Sequence, residues 1–411
     1  MLNLISALLN GPCPQPGAWK SSGIAVHVGS SLSKSKGGSN SPSKCIVGNV
    51  KTRILVCAPS NIAVDDLACR IHESCIGPSG RVGGFILVRF GLLPGEERTE
   101  QGRKRTFQST GTNNYRRTNS RENSNIRTKR DEFLYGINLD LIAKSSVEKR
   151  NILANAHVVC TTLNSSGSKS FIDASLRDDS ASEYDVVIID EACQASEPSS
   201  LIPFKFNPKA VILVGDPKQL PVTIRSQTAE QANLGRSLFQ RLHSFGWPVE
   251  MLRIQYRMRP EIVQFPSNQF YDGQLITPSV PFPHMPWHSS PCLPPFLLWN
   301  VRNATMTRSA TGGICNHVEK KFIIFGILSA LEKVMFPYST GKHVVEVGII
   351  SFYNDQVSLI KSSLAETTSK NKKLRIQVST VDGFQGSEKD IIILSCVRAR
   401  GGGKRRTTYK I

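Results

Sequence analysis

Along most of the chain, short runs of apolar residues alternate with stretches whose apolar positions recur at helical spacing. Arg53 to Ala58, Ala156 to Thr161, Asp185 to Ile189 and Ala210 to Val214 are each short, β-branched and apolar, and are predicted to be strands. Asn61 to Ser74 has the periodicity of a helix. Further on, Gly348 to Ser351 and Ile391 to Cys396 repeat the strand pattern, with helices predicted around Val318 to Leu331 and Asn354 to Leu364. Strands that alternate with helices form parallel sheets of the α/β class. The pattern divides near Ile224, so two α/β domains are expected, 1–225 and 226–411. Met1 to Leu9 is apolar without a basic leader or a small-residue cleavage site, and is expected to be an amphipathic helix rather than a signal peptide.

Three stretches break this rhythm. Ser30 to Ser43 is rich in Ser, Gly and Lys and is expected to be a flexible loop. Gly95 to Arg130 is polar and strongly basic, with Arg103-Lys104-Arg105 and Arg116-Arg117. It is expected to be a disordered insertion in the first domain, because it cannot bury enough apolar surface to fold alone. Pro278 to Pro295 is proline-rich and is expected to be an extended connector.

Charge sharpens the picture. Fifty-one basic residues stand against 32 acidic ones in 411, a formal net charge of +19. A surplus of that size favours a polyanionic partner such as nucleic acid, with a merely solubilising basic surface as the alternative. No apolar run approaches the length of a membrane span. The ten cysteines contain no Cys-x-x-Cys pair, and Cys57, Cys160 and Cys396 fall in apolar runs, as reduced core thiols do.

Candidate chemistry collects at strand ends. Val186-Val187-Ile188-Ile189 runs into Asp190-Glu191, delivering two carboxylates where open α/β sheets bind ligands. Asp190 there suits a metal that bridges phosphates, and Glu191 suits activation of water; an acidic helix start is the bland alternative. Val211 to Val214 ends in Gly215-Asp216-Pro217, a sharp turn that presents Lys218 and Gln219. Ser60 and Asn61 follow the first strand, where they can bind a phosphate or simply cap a helix. Thr161 and Thr162 end another strand, where they can contact a sugar-phosphate backbone or simply suit a strand terminus. Tyr256 beside Arg257 pairs a stacking ring with a cation, or is a packed Tyr beside a surface Arg. The loop Ser379 to Asp390, with two glycines, a Gln and three acids, is composed like the lining of a site.

Taken in order, Ala58-Pro-Ser-Asn-Ile-Ala-Val-Asp65, Asp190-Glu-Ala-Cys-Gln194, Gly215-Asp-Pro-Lys-Gln-Leu220, Gln255-Tyr-Arg-Met258 and Val381-Asp-Gly-Phe-Gln-Gly-Ser-Glu388 resemble the successive motifs of superfamily 1 helicases of the senataxin and nonsense-mediated-decay type. The resemblance implies two RecA-like domains with parallel sheets, an ATP cleft between them, and single-stranded RNA or DNA across their top, an RNA–DNA hybrid being a further possible partner. It implies ATP and Mg²⁺ as cofactors, with Asp190 on the metal and Glu191 activating water. Gln219 and Arg257 would then contact the γ-phosphate, Tyr256 the adenine, and Gly386 and Glu388 the nucleotide. Ser60, Asn61, Thr162, Thr380 and Val381 would touch the nucleic-acid strand. The basic insertion would add salt-dependent affinity or be an inert loop.

Two departures stand beside these matches. No Gly-x-x-x-x-Gly-Lys-Ser/Thr loop occurs in the sequence, and Gly401 to Arg406 does not resemble the family's last arginine motif. By the resemblance the chain would begin just inside the P-loop helix and be a fragment or a truncated gene product. The expectation is a family helicase whose 411-residue form binds nucleic acid and hydrolyses ATP weakly; the alternative is a non-catalytic nucleic-acid-binding protein. A nuclear location, or a cytoplasmic one, goes with the family.

Overall fold

The structure is a computed structural model that describes residues 1–10, 52–78, 80–91, 96–98, 104–106, 133–134, 136–175, 184–279, 285, 287, 290, 293–309, 312–335, 344–367, 374–385 and 387–398. They fall into two compact units, Met1–Met251 and Leu252–Ile411.

The first unit is built on a parallel sheet. Its strands are β1 (Ile54–Ala58), β2 (Leu87–Phe90), β5 (Val158–Thr162), β6 (Val186–Ile189) and β7 (Ala210–Leu213), in the order β2-β5-β1-β6-β7. A short antiparallel ribbon, β3 (Glu96–Arg98) with β4 (Lys104–Thr106), falls between β2 and β5 in the chain. The rest of the basic insertion, and the loop Ser30 to Ser43, lie outside the described residues. β1 is central because all five of its residues are buried and apolar, as a strand covered on both faces requires. One face packs Ile54, Val56 and Ile188 against the helices Leu2–Asn10 and Asn61–Ser74. The other packs Leu55, Val187 and Val211 against Phe171 and Phe206.

Past residue 225 the chain keeps contact with the first unit. Residues 226–251 stay with the first unit. In the helix Leu238–Ser244, Leu238 is buried, Phe239 packs on the core, and Arg241 Nη2 pairs with Glu197 Oε1 at 2.7 Å.

The second unit holds two antiparallel strands, β8 (Thr307–Arg308) and β9 (Ile314–Cys315), and a parallel sheet of β10 (Val345–Ser351), β11 (Leu374–Thr380) and β12 (Ile391–Ser395), ordered β11-β10-β12. Gly348 sits in the middle strand where a Cβ would lie 2.5 Å from Phe384 Cζ, so the bare backbone admits that ring beneath the loop after β11. At the carboxyl ends of β10 and β12 a buried polar network closes the sheet. Gln356 Nε2 donates to Ser395 Oγ (3.0 Å), and Asn316 Nδ2 donates to the Val397 carbonyl (3.0 Å). The Val397 amide donates to Glu319 Oε2 at the same distance, 3.0 Å, which secures a β-branched residue at φ 65°. Cys57 and Cys160 are core thiols as expected, but Cys396 is exposed, because it lies just past the end of β12. The connector from Pro278 to Pro295 is largely outside the described residues.

Candidate nucleotide and nucleic-acid site

In a parallel sheet every strand end of the same sense falls on one edge, so the loops after β1, β2, β5, β6 and β7 share the carboxyl edge of the first sheet. Ile189 lies level with Leu213, so Asp190-Glu191 and Val214-Gly215 leave the sheet side by side. The Asp190 amide donates to the Cys57 carbonyl, and the Val214 amide to the Ile189 carbonyl, both at 2.8 Å. These bonds carry the ladder one residue past the strands and anchor the acidic turn.

Asp190 is half-buried. Burial holds its carboxyl above the ordinary carboxylate value, while the Glu191 backbone amide beside it acts the other way. An oxygen donor of this kind, on a strand end and partly withdrawn from water, suits a hard divalent cation, which would restore the ionised form. Glu191 has left-handed backbone (φ 51°, ψ 39°), which for a residue with a side chain is strained by on the order of 1–3 kcal/mol. Gln194 Nε2 donates to Glu191 Oε2 at 2.7 Å and orients the carboxylate. Gly215 is required for the approach of the neighbouring turn: a Cβ there would lie 2.9 Å from the Cys193 amide nitrogen. Burial, reinforced by the Asp216 charge, pushes the Cys193 thiol up to about 12, so it is a filler and not a nucleophile.

Gln219 is exposed, and its Nε2 donates back to Asp216 Oδ2 at 3.0 Å. Asp216 Oδ1 also accepts from the Lys218 amide at 2.9 Å. Asp216 thus shapes the turn that carries Gln219, a role the sequence pattern suggested only as a sharp turn.

On the other side of β1, Ala58 lies level with Thr162, which sets Ser60-Asn61 beside the end of β5. Both hydroxyls have local partners. Ser60 Oγ accepts from the Ala63 amide (3.2 Å) as the helix cap, and Thr162 Oγ1 accepts from the Ser165 amide (3.1 Å) while donating to Ser165 Oγ (2.8 Å). Ser60 is exposed; Thr162 is buried. Asn61 is engaged differently, through Arg89 of β2, whose Nη2 donates to Asn61 Oδ1 at 3.1 Å. Sequence reasoning missed Arg89. Its one signal is a cation inside the apolar run Leu87-Val88-Arg89-Phe90.

In the second unit Arg257 Nε donates to Glu388 Oε2 at 2.8 Å, bringing two of the expected nucleotide contacts together. Tyr256 is 73% exposed, so it is not the packed ring that the bland reading required. Gln255, given no role from sequence, organises the turn: its Oε1 accepts from the Arg257 and Met258 amides (3.1 and 2.8 Å) and its Nε2 donates to Thr277 Oγ1 (2.7 Å). Thr380 Oγ1 accepts from the Gly383 amide (3.2 Å), and the Val381 amide donates to the Ser351 carbonyl (3.2 Å). That places both at the carboxyl edge of the second sheet. Gly386 lies outside the described residues.

The chain is similar to known proteins along most of its length. Two family models, each described as an AAA domain, match the chain: one over residues 2–132 and 94–227, the other over 234–408. The probable helicase MAGATAMA 3 of Arabidopsis thaliana is 35% identical over 86% of this chain and 40% of its own length. Helicase SEN1 of Saccharomyces cerevisiae is 31% identical over 85% of the chain and 18% of its own. The regulator of nonsense transcripts 1 of Dictyostelium discoideum is 33% identical over 87% and 25% respectively. The chain therefore spans well under half the length of these curated relatives.

Proposed function

This chain belongs to the superfamily 1 helicases of the senataxin and nonsense-mediated-decay type, and from that membership we propose that the protein couples ATP hydrolysis to movement along single-stranded RNA or DNA. Family membership implies ATP and a divalent metal; Mg²⁺ is our assignment of that metal. When bound, the metal would supply positive charge that offsets the charge of the nucleotide phosphates. Asp190 would hold it. Glu191, aimed by Gln194, would take the proton from the attacking water. Gln219 would sense the γ-phosphate from its turn. Arg257 would exchange Glu388 for that phosphate, with Tyr256 against the adenine and Glu388 at the ribose. Asn61, Ser60, Thr162, Thr380 and Val381 would meet the sugar-phosphate backbone, which carries no base sequence. The net charge of +19 supports a polyanionic track, and the run Arg103-Lys104-Arg105 supports a nuclear location.

The observation that carries the reading is the placement of Asp190-Glu191 beside Gly215-Asp216 on one sheet edge, with the Ala192 amide bonded to the Val214 carbonyl at 2.8 Å. The test is phosphate release by the protein at its native length, with and without a homopolymeric single strand. Stimulated turnover that disappears in Glu191→Gln supports the proposal. Turnover that Glu191→Gln leaves intact refutes it.

A further inference from the structure

Among the described residues, Arg89 heads the wholly buried side chains by size, and it is charged. Its Nε donates to Asp65 Oδ1 at 2.8 Å, and both side chains are shut away from water, at 0% and 2% exposure. Taking two ions out of water is unfavourable by several kcal/mol each, and a well-packed apolar pair would serve stability as well. The pair therefore points to a task other than holding the core. Asn61 supplies one. Asn61 and Asp65 lie one helical turn apart on the same face of Asn61–Ser74, so one guanidinium reaches both.

A guanidinium has donors only. The Asn61 atom that faces Arg89 Nη2 at 3.1 Å must therefore be the carbonyl oxygen. That turns the Nδ2 protons to the opposite side of the amide, at a half-buried position where β1 gives way to its helix on the carboxyl edge. An asparagine without such a partner presents its oxygen or its nitrogen with similar ease. We propose that Arg89 is a positioning residue, which fixes Asn61 as a hydrogen-bond donor toward a phosphate oxygen of the bound strand. Asp65 neutralises the guanidinium and sets its plane. The inference rests on the reading of Asn61 as a strand contact.

The experiment measures the affinity of the native-length protein for a fluorescein-labelled single-stranded oligouridine by anisotropy, alongside the denaturation midpoint. Asn61→Ala is expected to weaken binding about tenfold, the order of one hydrogen bond to a charged group. Arg89→Lys, which keeps the charge and loses the fork, is expected to weaken it comparably in the natural background. In the Asn61→Ala background it is expected to change affinity by less than about twofold. At saturating strand, maximal turnover stays the same while the strand concentration for half-maximal turnover rises. Unchanged affinity in Asn61→Ala overturns the strand-contact reading and the proposal with it. A normal Asn61→Ala effect, with an Arg89→Lys effect of equal size in both backgrounds, overturns the proposal alone. Should Arg89→Lys not fold, Asn61→Asp decides: it keeps an oxygen toward Arg89 and removes the outward donor. It is expected to raise the midpoint while weakening binding, and a lowered midpoint overturns the proposal.

Discussion

The carboxyl edge of the first sheet and the expected nucleotide contacts of the second unit are built to different standards of rigidity. In the first unit the edge is locked from beneath: Arg89 is wholly buried against Asp65, Glu191 is held in left-handed backbone, and Gly215 abuts the Cys193 amide. In the second unit the expected nucleotide contacts stand in water, with Arg257 and Glu388 side chains 56% and 60% exposed. The buried polar network of that unit, built on Gln356 and Asn316, closes the carboxyl ends of β10 and β12 instead. Where core packing holds a charged group, removing its buried partner registers as lost stability. A site made of exposed partners can re-pair at little cost, and registers mutation as altered affinity.

The sharpest way to break this comparison is to remove the buried cation. Arg89→Met leaves the Asp65 carboxylate buried without its partner, and is expected to lower the unfolding free energy by about 3–5 kcal/mol. Urea titration measures it, and an unshifted midpoint would show that the first edge is not built from the core. Glu191→Gln keeps the shape and the strained turn. It is expected to reduce strand-stimulated phosphate release by about 10²-fold or more, the order set by loss of a general base. Its midpoint should stay close to that of the natural protein, separating chemistry from scaffold.

Smaller effects test the second unit. Gly348→Ala places a methyl where Phe384 now lies, and is expected to cost about 1–3 kcal/mol through overpacking, read by thermal unfolding. A double-mutant cycle on Arg257 and Glu388 is expected to give a stability coupling of no more than about 1 kcal/mol, because both groups are exposed. A larger coupling would mean that this exposed pair is held as rigidly as the first sheet's edge. The smallest expected effect is acidic. Lys389, with Arg375 adding, holds the Glu346 carboxyl below the ordinary value, against a smaller opposing effect of burial. Its contribution is complete above the unfolded-state value of about 4.3 and fades as pH falls through the lower folded-state value. Glu346→Gln should therefore flatten that acid limb of the stability profile and leave neutral pH nearly unchanged.

Much of the architecture is a local property of the chain. Apolar runs bounded by small and polar residues located β1, β5, β6, β7 and β12 to within a residue or two, and the Asn61–Ser74 helix at its limits. Asp190 and Glu191 stood out because two charges at the end of a β-branched run violate the local pattern. Other elements escaped for physical reasons. β2 carries a charged residue among apolar ones, and β11 alternates polar and apolar positions beside a polar loop, so neither forms a clean apolar run.

The sequence alone determined the class of fold, the order of the motifs and the identity of the acids at the strand end, since each depends on residues close together in the chain. Tertiary structure alone decided which strand ends are neighbours, that Arg89 lies beneath Asn61, that Gly215 must lack a side chain and that residues 226–251 pack with the first unit. Those facts arise from sheet order and from contacts between residues far apart in sequence. No local pattern encodes them, because a buried pair is defined only once both partners share the same dry space.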